Sequence, residues 1–294
     1  MNYRTLQTEL KRYRSLGYTS IKLNQKKVIL QAEYNRIQAI RAEQDNQRAL
    51  QNQNPNSLTF GVEIEILMTP GLSQELIETA LRDDGINATI ERYNHQTRQH
   101  WKIITDASCG WEIVSPILSG EQGLNELRKV CETLTRIGCK VDKSCGVHVH
   151  IGADALGVDR VKSVVRRWLT NESQNLDSIQ PPSRRGTNNP YCQPLANTIR
   201  TEFIDRCNSI NELANIQSTR YSKLNLQSYR THRTIEFRHH AGSTNATKIT
   251  NWVKFLLDFC TNATPETATV TDFDALFANN NITQFYRQRR LQLA

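Results

Sequence analysis

"FGVEIEI" (residues 60–66) sets two glutamates into an otherwise apolar run. A short apolar run of this kind reads as a buried strand. A carboxylate inside one is costly unless something positive meets it. Alternation resolves the conflict, because side chains at i and i+2 share a strand face. Val62, Ile64 and Ile66 then point one way, and Glu63 and Glu65 point the other.

Three further segments repeat the pattern. In "CGVHVHI" (145–151), Val147, Val149 and Ile151 oppose His148 and His150. In "RTIEFRH" (233–239), Ile235 and Phe237 oppose Thr234, Glu236 and Arg238, with His240 next on the polar side. In "GWEIVSP" (110–116), Glu112 lies between Trp111 and Ile113, with Ser115 further along. Solvated sheet faces favour Lys and Thr, whereas these carry carboxylates, imidazoles and an arginine. An oxygen-rich set with one or two imidazoles suits Mg²⁺ or Mn²⁺. Zinc fits less well, because no His/Cys set has zinc-ligand spacing. An arginine two residues beyond a carboxylate would sit beside the metals, placed for phosphate. The residues together predict a concave sheet face that holds divalent metals and a polyphosphate, hence phosphoryl transfer. The chain has neither a Gly-x-x-x-x-Gly-Lys loop nor kinase signatures.

Around this core, the 294 residues divide into three parts. Residues 1–56 form a basic segment, with helices expected at 3–16 and 26–50, a break at "GYTS" (17–20) and a polar linker, "QNQNPNS" (51–57). It holds ten Lys/Arg against four acids, so it carries +6 of the formal +8. Such a segment fits nucleic acid or another acidic partner, or is simply a solvated helical surface. Its helix–extended loop–helix pattern resembles SAP-like and Rho-N-like nucleic-acid-binding modules. Residues 57–264 mix strands and helices, and 265–294 read as a polar helical tail. No run approaches the roughly 18 apolar residues of a membrane span. The first residues have no signal-peptide core, which sets cytoplasmic residence as the expectation. The seven cysteines form no CxxC pair, so neither a disulfide framework nor a zinc ribbon is expected, and most read as small apolar residues of a reducing compartment.

Set in order, "FGVEIE", "DASCGWEIVSP", "CGVHVHI", "PPSRRGTNNPYCQP" and "YSKLNLQSYRTHRTIEFRHHAGS" resemble the amidoligase family, over roughly residues 58–260. That family is similar to the glutamine-synthetase-like and glutamate–cysteine-ligase-like carboxylate–amine ligases. The resemblance implies an α+β fold with a curved, mostly antiparallel half-barrel sheet flanked by helices. It implies metal ligands at Glu63, Glu65, Glu112, His148 and Glu236. His148, His150 and Arg238 would serve the nucleotide or the transferred phosphoryl group, with Arg220, Arg184, Arg185 and Arg233 carried over from loops. The implied reaction uses ATP and Mg²⁺ (or Mn²⁺) to join a carboxylate-bearing and an amine-bearing substrate, which include peptides or proteins. Glu63, Glu112 and Asp106 are the candidate general bases. The basic segment is not part of the family pattern, and the oligomeric state is left open. Two other readings compete: a guanidine or phosphoryl transferase on the same fold, and a nucleic-acid-binding protein with a vestigial ligase core.

Overall fold

The strand that holds Glu63 and Glu65 is the axis of the sheet. In the computed structural model, which describes residues 1–15, 19–51 and 58–294, the strands are β1 (Thr59–Leu67), β2 (Ala88–Ile90), β3 (Trp101–Asp106), β4 (Gly110–Val114), β5 (Leu118–Ser119), β6 (Gly146–Gly152), β7 (Leu224–Asn225) and β8 (Thr234–Ala241). The helices are α1 (Tyr3–Ser15), α2 (Lys27–Gln51), α3 (Gln74–Asp83), α4 (Gly120–Arg136), α5 (Gly157–Asn171), α6 (Ile210–Asn215), α7 (Tyr229–His232), α8 (Ala246–Thr261) and α9 (Asn280–Leu293). The sheet is open, with order β2-β3-β4-β1-β6-β8-β7 and β5 pairing β1 from outside that path. All pairings are antiparallel except β2 with β3. Most of the predicted 17–20 break and 51–57 linker lies outside the described residues, at 17–18 and 52–57.

One sheet face is apolar throughout. Val62, Ile64, Ile66, Trp101, Ile103, Ile113, Val147, Val149, Ile151, Ile235 and Phe237 are all buried in one core. Amphipathic helices α3, α4, α5 and α8 add Leu81, Leu127, Leu134, Val164, Trp168, Trp252 and Phe255 to it. Ser73 starts α3 by accepting the Leu76 N–H, as a capping serine should. Asp159 lies within the first turn of α5. There its charge favours the helix dipole.

Between 195 and 215 the chain forms two 3₁₀ turns, Leu195–Asn197 and Thr201–Arg206, before α6. Upstream, the backbone of 198–200 bonds across to 216–218 (Arg200 N to Ile216 O, Ser218 N to Thr198 O), which takes those groups away from a helix ladder. The last thirty residues contribute Leu276, Phe277, Ile282 and Tyr286 to the main core. Helices α1 and α2 have a small apolar cluster of their own: Leu6, Leu10, Tyr13, Leu30 and Ile37. Among the described residues, no helix is long and apolar enough to cross a membrane.

Two cysteines are not unpaired, contrary to expectation. Cys109, in the β3–β4 turn, is bonded to Cys145, which directly precedes β6. The bridge joins two strands that do not pair with each other, because β1 lies between them. It closes a loop of sequence separation 36, which by chain entropy stabilises by about 3–4 kcal/mol. Cys109→Ser should therefore lower the unfolding free energy by about that amount in chemical denaturation under oxidising conditions. Reductant should abolish the difference between variant and wild type.

Candidate active site

Register brings the ionisable faces of four strands together. Directly opposed residues on neighbouring strands have Cβ atoms about 5 Å apart. β1 sets Glu65 opposite Glu112 on β4, and Glu63 opposite His148 on β6. β6 in turn sets His150 opposite Glu236 on β8. Three carboxylate strands and a histidine strand thus line one wall of a cavity of about 690 Å³.

The contacts within this wall are close. His148 Nδ1 lies 3.1 Å from Glu63 Oε2, and its Nε2 lies 3.5 Å from Glu65 Oε1. His150 Nε2 is 3.2 Å from Glu63 Oε1, buried and without a hydrogen-bond partner. Its Nδ1 is fixed from behind by Thr234 Oγ1 at 2.8 Å. Arg238 donates to Glu236 Oε1 at 2.5 Å, and Asn225 donates to Glu236 Oε2 at 2.6 Å. Two trios can each hold a cation, with ligand atoms within 4.8 Å: Glu63, Glu112 and His148, and Glu63, His150 and Glu236. Glu63 belongs to both. Glu65, expected as a ligand, belongs to neither and accepts the Gly146 N–H at 2.5 Å, tying the start of β6 to β1.

Electrostatics sort the carboxylates. Burial works to raise the Glu63 pKa, but the His150 charge and the hydrogen bond with His148 hold it well below the usual range. His150 is raised: the Glu63 carboxylate outweighs burial. Glu236 falls to about 2, because Arg238 and His150 overcome its burial. Glu112 goes the other way, pushed well up by burial and by the charges of Glu63, Glu65 and Asp106.

The arginines separate. Arg238 lies in the wall. Arg184 is buried, lines the cavity and donates to Cys145 O, with its Nε unpaired. Gly146 makes room for it: a Cβ there would meet His148 Nε2 at 2.9 Å and an Arg184 nitrogen at 3.2 Å. Arg220 lines the cavity, with its guanidinium 5.2 Å over the Tyr221 ring. Arg233 also lines it, in a left-handed conformation (φ 60°), but pairs with Asp154 at 2.9 Å and stacks on Tyr229. Arg185 does not line the cavity. Its guanidinium is spent on Gln180 O and Leu293 O, both at 2.8 Å. Asp106 lines the cavity, and its Oδ1 closes the β3–β4 turn by accepting from Ser108 and Cys109.

His240 leaves the polar face. Val149 pairs with Phe237 but Val147 pairs with His240, so β8 carries one residue extra there. The bulge breaks the alternation and turns His240 onto Trp252. His239, beside it, is 2.8 Å from Asp177, which also binds Lys223 at 2.6 Å in a fully buried cluster. Asp177 accepts the Gly186 N–H as well. That cluster anchors both the bulge and the loop that carries Arg184.

The sequence reading missed Lys102, Tyr93, His95, His232 and Asn225, all of which line the cavity. Lys102 had a signal: it shares the site face of β3 with Asp106 at i, i+4 spacing. The others arrive on loops or short elements.

The profile of a family described as "Putative amidoligase enzyme" matches residues 56–260, more than half of the chain. The chain belongs to this amidoligase family. The matched residues contain the whole wall, from Glu63 to Arg238. A comparison with curated proteins finds no match.

The raised Glu112 has a consequence for the metal-free protein. A carboxyl whose folded pKa lies above its unfolded value weakens the fold as pH rises past the unfolded value, about 4.3. Glu112→Gln mimics the protonated form. It should raise the melting temperature of chelator-treated protein at pH 7.5, and the gain should vanish by about pH 4. An unchanged melting temperature at pH 7.5 would mean that Glu112 is not under this charge pressure.

Proposed function

We propose that this amidoligase is an ATP-dependent carboxylate–amine ligase of the glutamine-synthetase-like type, on that superfamily's half-barrel sheet. What carries the reading is the pair of cation-capable trios sharing Glu63, with Arg238 beside them, in a chain of the amidoligase family. Each trio joins carboxylates to an imidazole, a donor set that suits Mg²⁺ or Mn²⁺. The orphaned His150 Nε2 fits the same reading, because a bound ion would take its lone pair. In this account Glu63, Glu112 and His148 hold one ion, and Glu63, His150 and Glu236 hold the other. The ions supply neutralisation of phosphate charge when ATP is bound.

The γ-phosphoryl group passes to the substrate carboxylate and ADP leaves. An amine then attacks the acyl carbon, giving the amide, phosphate and a proton. Arg238 turns from Glu236 to the phosphoryl oxygens as charge develops. Arg184 and Arg220 take further anionic groups of nucleotide or carboxylate substrate. Glu65 orients His148 and the first N–H of β6. Asp106, with no bond to its Oδ2 among the described residues, accepts the proton of the incoming amine. No protein nucleophile is required, in keeping with Cys145 being bonded to Cys109.

The test is mass spectrometry of peptides, amino acids and cell extract incubated with enzyme, ATP and Mg²⁺. The expected product is lighter by one water than its two precursors, with stoichiometric ADP. Glu63→Gln and Glu236→Gln should each cut ADP release at least roughly 100-fold. Undiminished ADP release by Glu63→Gln, or a stable phosphorylated product in place of an amide, would refute the proposal.

A further inference from the structure

Residues 91–100, between β2 and β3, form a coil with no regular secondary structure. Such a segment needs local anchors, among them the Glu91 carboxylate and Lys102. On its outer side the Glu91 carboxylate accepts from Asn94 Nδ2 at 2.7 Å and from Arg98 Nε at 3.0 Å, and lies 2.8 Å from His100 Nε2. On its inner side is Lys102. The side chain of Lys102 leaves β3 on the site face, since Lys102 pairs with Val114 just as Ile104 pairs with Glu112. Its Nζ donates to Gln96 O at 2.9 Å and to Asn94 O at 3.3 Å, with Asn94 Oδ1 at 3.5 Å. Lys102 is 4% exposed and lines the cavity. A buried ammonium needs acceptors, and here the nearest ones are the backbone of the coil rather than the site carboxylates.

The pinned coil reaches far across the sheet. It carries Tyr93 and His95 into the cavity lining, with their rings 5.1 Å apart. The His95 ring then meets His232 at 6.1 Å, and His232 meets His150 at 5.6 Å. In strand order β3 and β6 are three steps apart, roughly 14 Å at about 4.8 Å per step. The coil, through Tyr93 and His95, and α7, through His232, together bridge from β3 to His150 on β6 across the cavity that Glu112 and Glu63 line. The coil is a roof over the metal-capable wall.

We propose that Lys102 is a positioning residue that holds the 91–100 coil closed over the site and keeps water from the activated substrate. The proposal rests on the ligase reading above, in which an acyl phosphate must meet an amine before it meets water. Among the described residues Lys102 bonds to the roof and to no ligand atom of either trio, on which it acts only through its charge. Its removal should therefore open the roof and leave cation and nucleotide binding in place.

Lys102→Met keeps the unbranched apolar stem, one atom shorter, and removes the donors; Lys102→Arg keeps a cation with donors. The first measurement is limited trypsin digestion of the full-length protein, followed by mass spectrometry at Arg92 and Arg98 inside the coil. Lys102→Met should be cut there at least tenfold faster than wild type, with its melting temperature within a few degrees, and Lys102→Arg should restore protection. The second is phosphate release from ATP and Mg²⁺ with carboxylate-bearing peptides and no added amine. It should rise several-fold in Lys102→Met, while the dissociation constant of Mn²⁺–ATP changes less than about twofold. Equal cleavage at Arg92 and Arg98 in wild type and Lys102→Met would overturn the proposal. So would a loss of Mn²⁺–ATP binding in that variant. If wild type binds no Mn²⁺–ATP at all, the ligase reading fails, and the digestion result still decides whether Lys102 pins the roof.

Discussion

The register of β1 between β4 and β6 is the constraint on which the site depends. It sets Glu65 beside Glu112 and Glu63 beside His148. A slip of one residue would turn Val62, Ile64 and Ile66 toward the cavity and the glutamates into the core. The apolar face therefore enforces the polar one. Burial of the aliphatic residues against α3, α4, α5 and α8 holds a cluster of like charges that would otherwise repel.

That cluster is balanced by what surrounds it. His148 and His150 stand between Glu63 and its neighbours, and Arg238 is bonded to Glu236. Among the described residues Glu112 has no partner this close, and burial together with the charges of Glu63, Glu65 and Asp106 pushes its pKa up. Behind the sheet, the Lys223–Asp177–His239 cluster fixes the β8 bulge and the Arg184 loop together. The Cys109–Cys145 bridge ties the rim on the other side, next to the Gly146 N–H that meets Glu65. Wall, bulge, bridge and roof each fix a different edge of one cavity.

Much of the wall was legible because it lies on strands, where alternation assigns a face from local sequence alone. Glu63, Glu112, His148, His150, Glu236 and Arg238 all follow that rule. Where the rule breaks, the reading breaks with it. The bulge after Phe237 sends His240 to Trp252, and no local pattern announces the extra residue. In the loop "PPSRRG", nothing distinguishes Arg184, which enters the cavity, from Arg185, which ties down α9. Glu65 obeys the alternation too, and its bond to the Gly146 N–H is supplied only by the β6 register. The cysteine pairing is set by strand order, which spacing in the chain does not encode. The roof was invisible for a related reason: its reach across the sheet follows from where β3 sits in the strand order.

We propose that this wall binds two cations that share Glu63, and a count of bound Mn²⁺ by electron paramagnetic resonance decides it. Two spin-coupled Mn²⁺ per chain are expected. Glu112→Gln should lose one ion, Glu236→Gln the other, and Glu63→Gln both. An unchanged Mn²⁺ count in folded Glu63→Gln protein would contradict it.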